Sequence, residues 1–143
     1  MKKLLLISLL IIGCNNTTGN SNMSAEEYYE RAYQKWNESN DYYGAIEEFT
    51  KAIEVDPNYI EAYYDRAFLR GMIKDYYGQI EDYTEIIKIN PDFDDYYWVT
   101  RAYSGRGKVR LYIDGLEAAC EDWKKAADLG DKFDAEWFEE YCN

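Results

Sequence analysis

Two stretches of this chain repeat each other at a distance of 34 residues. Ala45, Phe49, Ala52, Ile53, Val55 and Pro57 are matched by Gln79, Tyr83, Ile86, Ile87, Ile89 and Pro91. Forty residues further on, Ala119, Trp123, Ala126, Ala127 and Leu129 fall into step, with Cys120 standing against Ile46 and Ile80. A second series precedes each of these: Tyr28-x-x-Arg31-Ala32, Tyr63-x-x-Arg66-Ala67 and Tyr103-x-x-Arg106-Gly107. A period of this length marks a stack of like units, none of which can bury its apolar face alone. The step from 34 to 40 places a six-residue insertion between Pro91 and Tyr103. One extra residue in the first unit belongs to the turn around Glu38 to Asp41.

Each unit reads as a helical hairpin. Ile46, Phe49 and Ile53, then Ile80, Tyr83 and Ile87, follow the period of an amphipathic helix. Ala32, Ala67 and Gly107 let two helices approach closely, and Asn40-Asp41, Lys74-Asp75 and Asp114-Gly115 supply turns. Pro57 and Pro91 end their hairpins, because proline cannot continue a helix and biases its predecessor away from helical geometry. The expected helices are 25–38, 42–55, 59–73, 76–89, 95–112, 115–128 and 132–142. The last carries Phe133, Trp137, Phe138 and Tyr141 on one face and acids on the other, the pattern of a capping helix. With two prolines and abundant Ala, Glu, Lys and Tyr, the expected fold class is all-α.

The period of 34, the Asn/Asp-Pro stops and the small residues at the helix crossing resemble the tetratricopeptide repeat (TPR). The resemblance covers residues 25–131, as repeats 25–58, 59–92 and 93–131, with 132–143 as the cap. Gln79 and Ile86 depart from the usual small residues, and the third repeat lacks its terminal proline. The resemblance implies an α-solenoid whose concave side is built from the first helix of each hairpin. It would place Tyr29, Tyr33, Trp36, Tyr64 and Phe68 there as partner-binding candidates, aromatic anchors being enriched at binding hot spots. The same residues could instead pack between repeats. The peptide-carboxylate clamp of some chaperone-binding members needs Lys and Asn on this face. Tyr33 and Phe68 occupy two of those places, so that ligand is not expected.

Residues 1–14 read MKKLLLISLLIIGC. Two lysines, a short apolar run and a small residue are the layout of a secretory signal peptide, and a span would need about 20 apolar residues. Ile11-Ile12-Gly13-Cys14 resembles the bacterial lipobox, in which Cys14 is lipidated and becomes the first residue of the mature chain. The expected layout is a signal peptide over 1–13 and a polar, flexible tether over 14–24. Asn15 resembles the outer-membrane sorting signal. The expected location is the cell envelope, lipid-anchored in the outer membrane and facing the periplasm.

Removing residues 1–13 removes Lys2 and Lys3 and no acid, leaving 14 basic against 28 acidic residues, a net charge of −14. Such a surface repels nucleic acid, favours a basic protein or peptide partner, and meets the membrane only through its anchor. No histidine occurs, which removes the commonest general base and the commonest zinc ligand. Acid pairs such as Glu26-Glu27, Glu47-Glu48 and Glu139-Glu140 are expected on solvated helix faces. Asp92, Asp94 and Asp95 lack the glycine and terminal glutamate of a calcium loop. No cofactor, metal site or catalytic residue is expected. Cys120 and Cys142 lie ten residues before and twelve after Gly130, nearly level on antiparallel helices. They are expected to form a disulfide outside the cytoplasm, the alternative being two packed thiols. The sequence therefore points to a non-catalytic protein-interaction scaffold of the cell envelope. The alternative is a structural subunit of an envelope assembly.

Overall fold

The computed structural model describes residues 23–89 and 96–143. Cys14, the leader, most of the tether, Pro91 and the Asp92, Asp94 and Asp95 group lie outside the described residues. Seven helices are present among those described: α1 (Ala25–Ser39), α2 (Tyr42–Val55), α3 (Ile60–Met72), α4 (Tyr76–Ile89), α5 (Tyr96–Ile113), α6 (Leu116–Asp128) and α7 (Lys132–Tyr141). Each packs on its neighbours in chain order, giving three hairpins and a final helix that covers α6.

Local chemistry sets the ends of these helices. Ser24 and Glu27 form a reciprocal capping box at the start of α1, satisfying two backbone donors that the helix leaves unpaired. Asp41 caps α2 by accepting from the Gly44 amide, and Asp75 accepts from Gly78 in the same way one repeat later. All three hairpin turns pass through positive φ: Asn40 at 51°, Lys74 at 64° and Gly115 at 95°. Asn and Gly suit that conformation. Lys74 is a costlier occupant, held there by its amide donating to the Gly71 carbonyl and by the Asp75 amide donating to Arg70.

Alanines line the helix crossings. Ala32, Ala45, Ala52, Ala62, Ala67, Ala102, Ala119 and Ala126 are wholly buried, and Phe49, Leu69, Ile86 and Trp123 fill the space between them. Burying a side chain such as Phe49 stabilises the fold by roughly 1.5–3 kcal/mol. The large Gln79 is accommodated by a small residue opposite it, since a Cβ at Gly71 would lie 2.8 Å from the Gln79 amide. Gly107 plays the same part for Trp123, whose ring would sit 2.8 Å from an added Cβ.

Beside this apolar core runs a repeated polar device, and it corrects an expectation. Glu48 is not on a solvated face: it is 1% exposed, and so are its counterparts Asp82 and Asp122 to within a percent. A buried carboxylate needs cationic partners. Each hairpin supplies two from its first helix, four residues apart: Arg31 and Lys35 for Glu48, Arg66 and Arg70 for Asp82, Arg106 and Arg110 for Asp122. The arginine of the repeated Tyr-x-x-Arg motif also reaches back to the previous hairpin. Arg66 donates to Thr50 at 2.9 Å and Arg106 to Thr84 at 3.0 Å. Glu27, by contrast, is exposed as expected, and its carboxylate also closes the capping box.

Cys120 and Cys142 are joined by a disulfide, their Cα atoms 5.7 Å apart, and this ties the end of α7 to α6. Trp137 of α7 packs edge-on to the buried Trp123 at 5.2 Å.

Candidate functional site

The aromatic residues of α1, α3 and α5 meet across one face. Tyr29 packs on Phe49 and stacks on Tyr59, with its hydroxyl donating to Asp65 at 2.6 Å. Burial and the Asp65 carboxylate hold that phenol well above the ordinary tyrosine range, and burial raises Asp65 as well. Tyr29 is therefore a joint between the first two repeats. Tyr64 has a similar part between the second and third, against Tyr83 and Trp98. Trp36 is half-buried against the core, its ring 5.4 Å from Tyr33 and 5.5 Å from Phe68.

Tyr33 and Phe68 differ from these three. They remain 44% and 45% exposed, and they flank the Trp36 ring that bridges α1 and α3. Of the five aromatic residues singled out, these two present a free ring surface, while Tyr29 and Tyr64 mainly hold repeats together.

The same face continues into the third repeat, where a cleft of about 470 Å³ lies among α3, α5 and the start of α7. Phe68, Tyr64 and Tyr83 provide its aromatic wall, and Arg101, Lys108 and Phe133 its other side. Arg101 stacks on the rings of Tyr64 and Tyr97 and donates two hydrogen bonds to the Tyr64 hydroxyl, at 2.6 and 3.1 Å. Lys108 donates to Ser104 and lies over the Phe133 ring, which is 53% exposed. Gly105 leaves room for Tyr83, whose ring would stand 2.6 Å from an added Cβ. Burial raises the Tyr83 phenol to about 12.

Arg101, Lys108 and Phe133 were not among the sequence candidates. The register contains a signal for one of them. Tyr33 and Phe68 follow Ala32 and Ala67, and the residue following Gly107 is Lys108. Phe133 could not be placed that way, since it belongs to the cap and reaches the face by how α7 begins.

Among the described residues no group of three or more His, Cys, Asp or Glu could hold a metal ion, and no helix is long and apolar enough to cross a membrane.

A family model described as a TPR repeat matches residues 36–72, from the last turn of α1 through α2 to the end of α3. The N-terminal domain of stress-induced protein-1 (STI-1) from C. elegans superposes with a TM-score of 0.76 at 18% identity, covering 83% of this chain and 94% of that one. The fold is a TPR-type solenoid. The MamA protein is similar at a TM-score of 0.66 and 26% identity, over 76% of this chain and 56% of that one. The first TPR of Spaghetti (RPAP3), bound to the HSP90 peptide SRMEEVD, has a TM-score of 0.66 at 22% identity, over 82% of this chain and 90% of that one. No curated protein sequence matches the chain. Within the TPR-type solenoid, the face built from α1, α3 and α5 is the concave one.

Proposed function

We propose that this chain is a lipid-anchored adaptor of the cell envelope that binds a segment of a partner protein along its concave face. The observation that carries the reading is the free ring surface of Tyr33 and Phe68, placed on either side of Trp36 where α1 and α3 meet. Exposed aromatics on a rigid helical scaffold give an incoming chain large contact area at little entropic cost, which is how binding hot spots are built. The second TPR domain of human RPAP3, solved in complex with the HSP70 peptide SGPTIEEVD, has the same fold at a TM-score of 0.66 and 23% identity, which supports reading such a solenoid as a peptide binder. The chain's acid excess favours a partner that is basic over most of its surface.

In this reading the leader ends at Gly13, Cys14 carries the acyl chains, and the residues before Ser24 span the gap to the solenoid. Several chains on one cysteine, each burying methylenes worth about 0.8 kcal/mol, suffice for stable anchoring. The adaptor is non-catalytic and needs no cofactor.

The test is affinity capture from detergent-solubilised envelope, comparing the natural chain with Tyr33→Ala and Phe68→Ala together. Both rings are exposed, so the double variant should keep its melting temperature while losing most of a stoichiometric partner. Undiminished capture would place the interaction elsewhere and favour the structural-subunit alternative. Mass spectrometry of the membrane-extracted protein reads the anchor: an acylated Cys14 peptide supports it, and a soluble chain that keeps Met1 contradicts it.

A further inference from the structure

The capping helix is loosely held by its own packing. The one wholly buried side chain of α7 is a carboxylate, that of Asp134. Phe133 and Tyr141 remain exposed, and Trp137 and Phe138 are only half-buried. Trp123, against which Trp137 packs, has its indole N–H buried with no hydrogen-bond partner. A buried acid and an unpaired buried donor both weaken the packing they belong to. Ten residues are also too few for a helix to persist alone, so the Cys120–Cys142 bond is what keeps α7 on α6. That bond lies within reach of solvent. Both cysteines are only half-buried, and both line an open groove of about 580 Å³ between α6 and α7. Leu116, Phe138 and Tyr141 make the sides of the groove apolar, and none of these residues lines the concave cleft.

We infer that Cys120–Cys142 is a site of thiol–disulfide exchange with a dithiol protein, which seats an apolar surface in the α6–α7 groove, reduces the bond and releases the cap. A thiolate of that protein attacks Cys142 Sγ and forms a mixed disulfide, while the Cys120–Cys142 bond breaks and Cys120 leaves as a thiolate that takes up a proton. Cys120 is the better leaving group because it is the fifth residue of α6, near the positive end of that helix, whereas Cys142 stands at the negative end of α7. The second thiol of the dithiol protein then gives up its proton, attacks the mixed disulfide and frees Cys142 as a thiol. Two electrons pass in all: the dithiol is oxidised to a disulfide, and Cys120 and Cys142 are reduced. The same protein in its disulfide form restores the bond by the reverse steps. Release of α7 uncovers Trp123 and draws Phe133 away from Lys108, so the concave cleft loses the wall that Phe133 provides. The exchange site goes beyond the adaptor reading and stands without it, since nothing in it needs a partner on the concave face.

The experiment uses the full-length chain in detergent, with reduced thioredoxin as the dithiol probe. Thioredoxin whose second active-site cysteine is changed to serine should be trapped as a mixed disulfide on Cys142, read by peptide mass spectrometry. Intact thioredoxin should reduce the bond without denaturant, after which the α7 amides exchange freely while those of α1 to α4 stay protected. Leu116→Ala should slow reduction by thioredoxin about tenfold, the weight of one apolar contact, and leave the rate with dithiothreitol unchanged. A bond that yields only when urea unfolds the whole chain, or a trap on Cys120 instead, would overturn the inference. So would a thioredoxin rate that Leu116→Ala leaves unchanged, equal slowing of both reagents, or an α7 that keeps its amide protection after reduction.

Discussion

Single residues in this protein carry opposite electrostatic loads according to what surrounds them. Asp134 is wholly buried at the start of α7, with at most the Ser104 hydroxyl to satisfy its carboxylate. Burial, with Asp131 close by, outweighs the Ser104 hydroxyl and the Lys108 charge and raises its proton affinity above the ordinary value of 3.8. A carboxylate whose pKa is raised by folding stabilises the fold fully below its unfolded value and loses that contribution as pH rises through the folded one. Asp134→Asn should therefore be more stable than the natural chain at pH 7, by about 1 kcal/mol, and the gain should vanish below pH 3.8. Urea melts at several pH values check this. Glu48 runs the other way: burial opposes its charge, but hydrogen bonds from Lys51 and Lys35 and the charge of Arg31 outweigh burial and lower it from 4.5. Its contribution is present above that value and disappears as pH falls through the lowered one. Glu48→Gln should cost about 1–2 kcal/mol at pH 7, reduced because its three cations are partly solvated, and nothing in strong acid. Neither behaviour was legible in the sequence. An acid beside another acid on an amphipathic helix looks solvated, and only the repeat of Arg31, Arg66 and Arg106 at the matching place on the first helices hints that it faces inward.

The helices themselves were legible because periodicity, turn residues and proline stops agree with one another. The expected α2 and α4 coincide with the observed ones, and α3 is a residue shorter at each end because Tyr59 and Ile73 serve as its caps. The departures from repeat consensus made sense only as pairs. Gln79 is tolerated because Gly71 faces it, and Trp123 because Gly107 does. Gly107→Ala should accordingly lower stability by about 1–3 kcal/mol, as overpacking does, since its methyl would press on the ring of a residue 1% exposed. The last element depends on its tie. α7 has ten residues, too few to hold as an isolated helix, and the Cys120–Cys142 bond closes a loop over a separation of 22 residues. Cys142→Ser should cost about 3 kcal/mol in the chain-entropy model and speed amide exchange in α7 before the other helices. Reductant should reproduce that loss in the natural chain and add nothing in the variant.

At the scale of the whole molecule, the solenoid turns a repeated core into a continuous face, and the candidate site is a property of that face rather than of any one motif. This is why the sequence revealed only part of it. Tyr33 and Phe68 could be placed from the repeat register, but Arg101 and Phe133 come together with them only through the curvature of the stack and the entry of α7. The central claim is that a partner segment lies along the concave face. It is tested most directly by photo-crosslinking in the intact cell, with benzoylphenylalanine placed in turn at Tyr33, Phe68 and Phe133 and, as controls, at Tyr43 and Tyr77. The control positions are 70% and 71% exposed on the second helices, away from that face. The account predicts one discrete crosslinked partner from the three concave positions and none from the two controls. Crosslinking from Tyr43 and Tyr77 with silence at Tyr33, Phe68 and Phe133 would contradict it.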